Sequence, residues 1–455
     1  MSNSEFQTAF IWNLKLGIWN LEAPRSQTTF YIIRIATIPF SAIMRRMRVA
    51  APFLCAFLAF SARAASDWPQ LLGPTRDAVY AGPALAESWS DGNRIVWQKD
   101  VGEGYSSPVA SEGRVILCHR LGTNLIVECF NAADGVSLWQ FPHAMKFKDG
   151  AAYDSGPRPT PAIADNKVFV HNTDGYLACL DLKTGKKLWS EHTRSKFGSS
   201  ATWHGSVASP LVVNQAVIVP VGGTNSGGIV AFSRDDGEIL WQITNEKASA
   251  SSPVLATIGG KPQVVVATRS ALHSLDPETG RDYWQRPNLR QSSGNVYAAS
   301  PVVFGDCLFL SGWYRLGADF LRVTDGKPQV VWHSDDAIST HYANAIIFED
   351  HIYGFHGHAW ERGGPNLRCV ELATGKLVWE QPQGGSGTIL RSGNHLLVLY
   401  DSGELQLIEA SPKASKPKTR LQVVGRITRT YPALADGFAY VKGPKRLVCV
   451  DLRPR

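Results

Sequence analysis

The sequence predicts an all-β chain, an eight-bladed β-propeller of four-stranded antiparallel blades, on three observations. A tryptophan recurs at positions 97, 139, 189, 241, 284, 332 and 379, at intervals of 42 to 52 residues. Five of these tryptophans follow a similar run of a small residue, a polar turn and a glycine, as in Cys179-Leu180-Asp181-Leu182-Lys183-Thr184-Gly185 before Trp189. Units then open on Ser-Pro or Thr-Pro and a β-branched run, as in Ser209-Pro210-Leu211. Four short strands repeated at about 40–50 residues are the signature of a propeller blade.

The chain of 455 residues starts with a leader. Met44-Arg45-Arg46-Met47-Arg48 is basic, Val49 to Phe60 is apolar, and Ala62-Arg63-Ala64 is an A-x-A site. That order is a secretory signal peptide, cleaved after Ala64. Residues 1–64 are therefore an N-terminal extension plus signal peptide, with translation expected to start at Met44 or Met47, and residues 65–455 form the propeller. Seven of the 46 basic groups and two of the 39 acidic ones lie in residues 1–64, so the body is almost neutral. A nearly neutral body lacks the basic footprint of a nucleic-acid binder. No run reaches 18 apolar residues without a charge, so no membrane span is expected in the mature chain. The exported location is periplasmic or extracellular, and a monomer is expected.

Eight unit starts follow: Ser107-Pro108, Thr160-Pro161, Ser209-Pro210, Ser252-Pro253, Ser300-Pro301, and weaker copies at Asn344-Ala345, Thr388-Ile389 and Tyr431-Pro432. In five units the small residue precedes its Trp by ten positions, with an Asx-type turn and a Gly supplying positive φ between two strands. The last unit ends after Leu447-Val448-Cys449-Val450-Asp451 without an outer strand, while Ile95-Val96-Trp97-Gln98 has no unit before it. The N-terminal strand is predicted to complete the last blade and close the ring.

Six cysteines follow the leader, at 118, 129, 179, 307, 369 and 449, and none forms a C-x-x-C motif. Cys129, Cys179, Cys369 and Cys449 share the small repeat slot that Ala231 and Ser274 fill elsewhere, which reads as packing. Cys118 and Cys129 flank one hairpin turn, so a disulfide is open there.

The repeat resembles the tryptophan-docking motif A-x-D-x-x-T-G-x-x-x-W of quinoprotein-type propellers, best at Asp181, Thr184, Gly185 and Trp189. That family includes PQQ-dependent alcohol dehydrogenases and the BamB outer-membrane assembly lipoprotein. Asp67-Trp68-Pro69-Gln70 and Trp203-His204-Gly205-Ser206 resemble secreted bacterial members without a known role. The resemblance covers nearly all of the mature chain and implies the fold, with Trp and Gly as architecture. In its dehydrogenases two adjacent, disulfide-bonded cysteines cover the quinone, and Ca²⁺ polarises it. This chain has no adjacent Cys pair and no C-x-x-C-H haem motif. No cofactor is therefore expected, with PQQ and Ca²⁺ as the alternative. Pro52-Phe53-Leu54 before Cys55 is a poor lipobox, which weakens a BamB-like lipoprotein reading.

In such blades the B–C loops and the D-to-A connections share one face. Here those connections are long, at 140–157, 190–205, 285–297, 312–318 and 356–366, and nine of the twelve His map at or near that face. Long loops on a rigid scaffold commonly carry function. Residues just before the inner strands should ring the central funnel: Tyr105, Arg158, His204, Tyr297, His341 and Arg429. Such side chains suit an anionic or carbohydrate-like ligand, and equally suit plugging the channel. No metal is expected; the nearest approach to a ligand set is His356, His358 and Glu361. Asp235-Asp236 and Asp335-Asp336 read as turn residues. Gly222–Gly228 reads as a B–C loop, since it has no Lys and no following helix. The expected function is a binding or scaffold module for a protein or glycan partner on the loop-rich face. The alternatives are a quinoprotein-like oxidoreductase and a propeller hydrolase or lyase. The last requires a funnel His with a shifted pKa and a carboxylate partner.

Overall fold

Eight sheets form in the computed structural model, one for each predicted unit. It describes residues 66–455 apart from 90–92, 151–153, 201, 289–295, 359–363, 382–383 and 414–415. The leader lies outside the described residues. Among the described residues no helix is long and apolar enough to cross a membrane.

Blade 2 shows the plan, with strands Ala162–Ala164, Lys167–His171, Tyr176–Asp181 and Lys187–His192 running antiparallel from channel to rim. The two middle strands are buried almost throughout, because each blade is sandwiched between two neighbours. They therefore read as continuous apolar runs rather than alternating ones. The rim strand is largely exposed around its tryptophan. In blade 8 the strands Ala433–Ala435, Phe438–Lys442 and Arg446–Asp451 are completed by Ile95–Asp100 at the rim. The ring thus closes by strand pairing of the two ends, with Trp97 opposite Cys449.

The docking turn is clearest in blade 2. Asp181 accepts hydrogen bonds from the Thr184 backbone N–H (2.8 Å) and hydroxyl (2.6 Å), and Gly185 has φ +70°. A Cβ on Gly185 would stand 2.5 Å from the Trp139 ring of the preceding blade, so glycine is needed for space as well as for φ. The Trp139 indole N–H donates to Leu182 O at 2.9 Å. Trp97, Trp189, Trp241 and Trp332 donate in the same way to the C–D turn of the next blade. The small slot lies directly across the sheet from the Trp: Cys129 faces Trp139, Cys179 faces Trp189 and Cys369 faces Trp379.

The Ser/Thr-Pro starts form a second device, a belt around the channel. Ser107 N–H donates to Thr160 Oγ1, Thr160 N–H to Ser209 Oγ, and Ser209 N–H to Ser252 Oγ, at 2.9–3.1 Å. Tyr431 N–H donates back to Ser107 Oγ at 2.8 Å. All these hydroxyls are buried, where an unmade bond is costly.

All six described cysteines are thiols. The disulfide left open between Cys118 and Cys129 does not form, because the register sets Cys118 opposite Val127 and Cys129 opposite Ile116.

The segment 66–80, which the repeat does not predict, is structured. It crosses the channel at the end where the short A–B turns lie. Trp68 bridges to Ala110 in blade 1, Pro69 O accepts from Ile163 N–H in blade 2, and Val79–Tyr80 pairs in parallel with the inner strand of blade 7. Arg76, 2 % exposed, donates to Pro253 O at 2.7 Å, to Pro210 O, and to Gln70 Oε1. Burial lowers its pKa to about 9.

Candidate functional site

The opposite end of the channel carries the long loops, and five of the six funnel residues meet there. Arg158 lies 5.0 Å and Arg429 5.9 Å from the centre of the Tyr105 ring, which suits cation–π attraction. Arg158 Nη2 donates to Asp149 Oδ2 at 2.6 Å, and His204 Nδ1 is 2.8 Å from the same oxygen. The Asp149 side chain is fully buried, so its charge is compensated by these two partners. Burial, foremost, raises the Tyr105 pKa. His341 packs against His358 with ring centroids 3.9 Å apart and the planes tilted by 40°, and Tyr314 Oη lies 3.5 Å and 3.3 Å from the two imidazoles. Burial, with the nearby His358, Arg429 and His204, lowers the His341 pKa to about 3, so it stays neutral.

Tyr297 is the exception. It is 3 % exposed and packs among Leu308, Leu310 and Leu316 inside the ring wall. Neighbouring Val296 and Ala298 reach the recess described below instead. An extended chain alternates its side chains, and Tyr297 takes the apolar side.

A recess of about 630 Å³ opens beside the funnel. Its walls come from the D-to-A connections after blades 2, 3, 4 and 5 and from B–C loops of blades 3, 4 and 5. His204 and His341 are shared between funnel and recess. Trp203, Arg194, Lys247, Arg269 and Tyr314 complete the charged and aromatic lining. The one-turn helix Thr193–Phe197 places Arg194, whose stem lies over Gly175. The Gly222–Gly228 loop is held to that helix through Thr224 N–H and Phe197 O. A Cβ on Gly223 or Gly227 would meet Phe197 at 2.5 to 2.6 Å, so the glycines serve close packing.

Sequence reasoning missed Asp149, Trp203, Arg269 and Tyr314. Asp149 lies in a connection already marked as long, but nothing in its spacing from Arg158 or His204 foretells their meeting. Of the metal set, Glu361 lies outside the described residues. His356 Nδ1 accepts from Ser339 N–H at 3.1 Å, and burial lowers its pKa to about 4, whereas His358 packs against His341. Among the described residues no three His, Cys, Asp or Glu side chains converge as metal ligands. Asp236 caps its turn through Glu238 N–H, and Asp235 pairs with Lys167. Several of the His assigned to the face are buried within blades. His119, for example, is 1 % exposed and pairs with Glu128 at 3.0 Å. The hydrolase arrangement is split between two residues: His204 holds the carboxylate partner, and His341 holds the shifted pKa.

Fold and face together define a tryptophan-docked repeat propeller with a plugged end and an open, loop-rich end. The chain belongs to a recognised family of such propellers. The family model described as outer membrane protein assembly factor BamB matches residues 76–218 and 123–361. The outer membrane protein assembly factor BamB of Shewanella oneidensis is 26% identical over 394 residues, covering 79% of this chain and 89% of that one. The crystal structure of BamB from Moraxella catarrhalis superposes with a TM-score of 0.58 at 18% identity, over 78% of this chain and 99% of the other, and supports the fold. A quinohemoprotein alcohol dehydrogenase, ADH-IIG of Pseudomonas putida, is 28% identical over 142 residues, which is 30% of this chain and 19% of the enzyme. The residues here do not suit a quinone site of the kind the sequence resemblance implied: the cysteines are separate thiols, no two of them adjacent.

Proposed function

We propose that this chain is an exported scaffold propeller that docks a protein partner through its loop-rich face, in the service of outer-membrane protein assembly. The observation that carries this reading is the asymmetry of the two ends. The 66–80 segment fills one end of the channel with its own backbone, while the other end presents an open surface with Trp203, 73 % exposed, and Tyr314, 46 % exposed. Exposed aromatics beside cations are the composition of an interface centre. Family membership and the names of the relatives support the assembly role. The signal-peptide pattern of residues 44–65 supports a periplasmic location.

The direct test is to delete the gene in its host and measure the folded fraction of outer-membrane β-barrel proteins by heat-modifiable gel mobility. The reading expects a reduced folded fraction, restored by the wild-type chain and not by one carrying Trp203→Asp. An unchanged folded fraction contradicts it. The quinoprotein alternative makes a separate demand: saturable quenching of tryptophan fluorescence by micromolar PQQ with Ca²⁺. The account expects none.

A further inference from the structure

We infer that the recess beside the funnel is a binding site for a small acidic sugar, a saccharide bearing a carboxylate or a phosphate. The inference goes beyond protein docking, since it concerns a cavity rather than the surface around it. Its volume of about 630 Å³ lies within the roughly 300–1,000 Å³ range of small-molecule sites.

Charge is the first argument. Arg194, Lys247 and Arg269 line the recess, and none of the described lining residues is acidic. Two carboxylates adjoining lining residues are already engaged: Asp149 with Arg158 and His204, and Glu246 with His273 and Thr268. A recess lined by one sign of charge concentrates the opposite sign.

Hydrogen bonding is the second. Arg194 Nε and His341 Nδ1 are buried with no partner among the described residues. Arg194 lines the recess, and the donors that a ligand's acceptors would meet there are its terminal guanidinium nitrogens rather than Nε.

Shape is the third. Trp203 and Tyr314 offer flat apolar surface against which the C–H face of a sugar ring can lie, a surface that a bare phosphate would not use. Tyr314 and Arg315 are both held at positive φ, +58° and +67°, in the Gly312-to-Gly317 turn. For non-glycine residues that conformation is strained, and strain of this kind collects at binding sites. An acidic peptide is the competing occupant. It is disfavoured because the lining segments are loops, with no unpaired strand edge for main-chain pairing among the described residues.

The test is a calorimetric and fluorescence titration of the mature chain with four probes: trigalacturonate, its carboxyl-reduced neutral counterpart, glucose 6-phosphate, and hexaglutamate. Saturable binding of either acidic sugar, at least tenfold tighter than the neutral counterpart, is expected. Which of the two saturates names the anion. Lys247→Gln and Trp203→Ala, both on exposed side chains, should each weaken binding about tenfold with an unchanged melting temperature, and Arg269→Gln should weaken it more. Failure of both acidic sugars to saturate overturns the inference. So does equal binding of the neutral counterpart, or tighter binding of hexaglutamate. Because the readout is a small molecule on purified protein, a negative result here leaves the docking reading standing, and an unaffected assembly phenotype leaves the titration standing.

Discussion

The seam between blades 2 and 3 and the seam between blades 4 and 5 use the same repeat and reach different results. At the first, the Trp189 indole donates to Arg234 O at 3.0 Å, Gly237 lies against its ring, and Thr160 N–H reaches Ser209 Oγ. At the second, Trp284 is just as buried, yet its Nε1 has no acceptor among the described residues. The reason is the neighbour's turn. Strands Gly317–Thr324 and Lys327–Ser334 are joined only by Asp325-Gly326, with φ +51° and +70°, so the carbonyl that other blades offer is missing. The belt also lapses there, since Ser252 N–H makes no such bond to blade 5 among the described residues. Ser251 Oγ, Arg286 Nη1 and Asn288 Oδ1 are buried and unpartnered nearby. The recess spans this under-bonded seam. The ring is therefore held by its regular seams, and at this irregular one the loops are free to serve binding.

The sharpest way to break this comparison is to truncate both tryptophans. Trp189→Ala should cost about 3–5 kcal/mol in urea unfolding. Trp284→Ala should cost less by about 1 kcal/mol, the value of the hydrogen bond it lacks. Equal losses would erase the distinction. Next comes the plug. Arg76→Met strands the buried Pro210 and Pro253 carbonyls and should cost about 2–4 kcal/mol. Acidic-sugar affinity at the other end should stay unchanged, and a parallel loss of affinity would mean the two ends are coupled. Smaller still, Ser252→Ala removes the belt acceptor just before the gap between blades 4 and 5 and should cost about 1 kcal/mol. A larger loss would show that the belt does not lapse between blades 4 and 5.

The pH dependence sets two buried regions against each other. Burial, the largest cause, lowers His171 and His356 to about 4 and His341 to about 3. The unfolded chain then binds more protons between pH 4 and about 6.5, so melting temperature should rise with pH across that window. His273 runs the other way. Burial opposes its charge, but the carboxylates of Asp282 and Glu246 outweigh it and raise the pKa to about 9. Its contribution is complete below about pH 6.5 and is lost as pH rises through 9. His273→Gln should therefore flatten the alkaline fall and leave the acidic limb in place.

The blade count, the docking turns and the closure of the ring by Ile95–Asp100 were all legible in the sequence. They rest on local spacing, in which the small slot, the turn glycine and the tryptophan lie within ten residues. The plug was not legible, because Arg76 meets Pro210 and Pro253 across gaps of 134 and 177 residues that no period relates. The funnel was legible as positions preceding inner strands. The side that Tyr297 takes was not, since it depends on packing against Leu316. Asp149 and Arg269 carry no repeat signal, because irregular loops are where the repeat stops constraining the chain.

The central claim is that recognition belongs to the loop-rich face and not to the plugged one. It is tested by placing a photo-crosslinking amino acid at position 203 on the open face and at position 112, in an exposed turn at the other end, in the full chain expressed in its host. The account predicts a discrete protein adduct from position 203 and none from position 112. Adducts from position 112 alone, or equally from both, would contradict it.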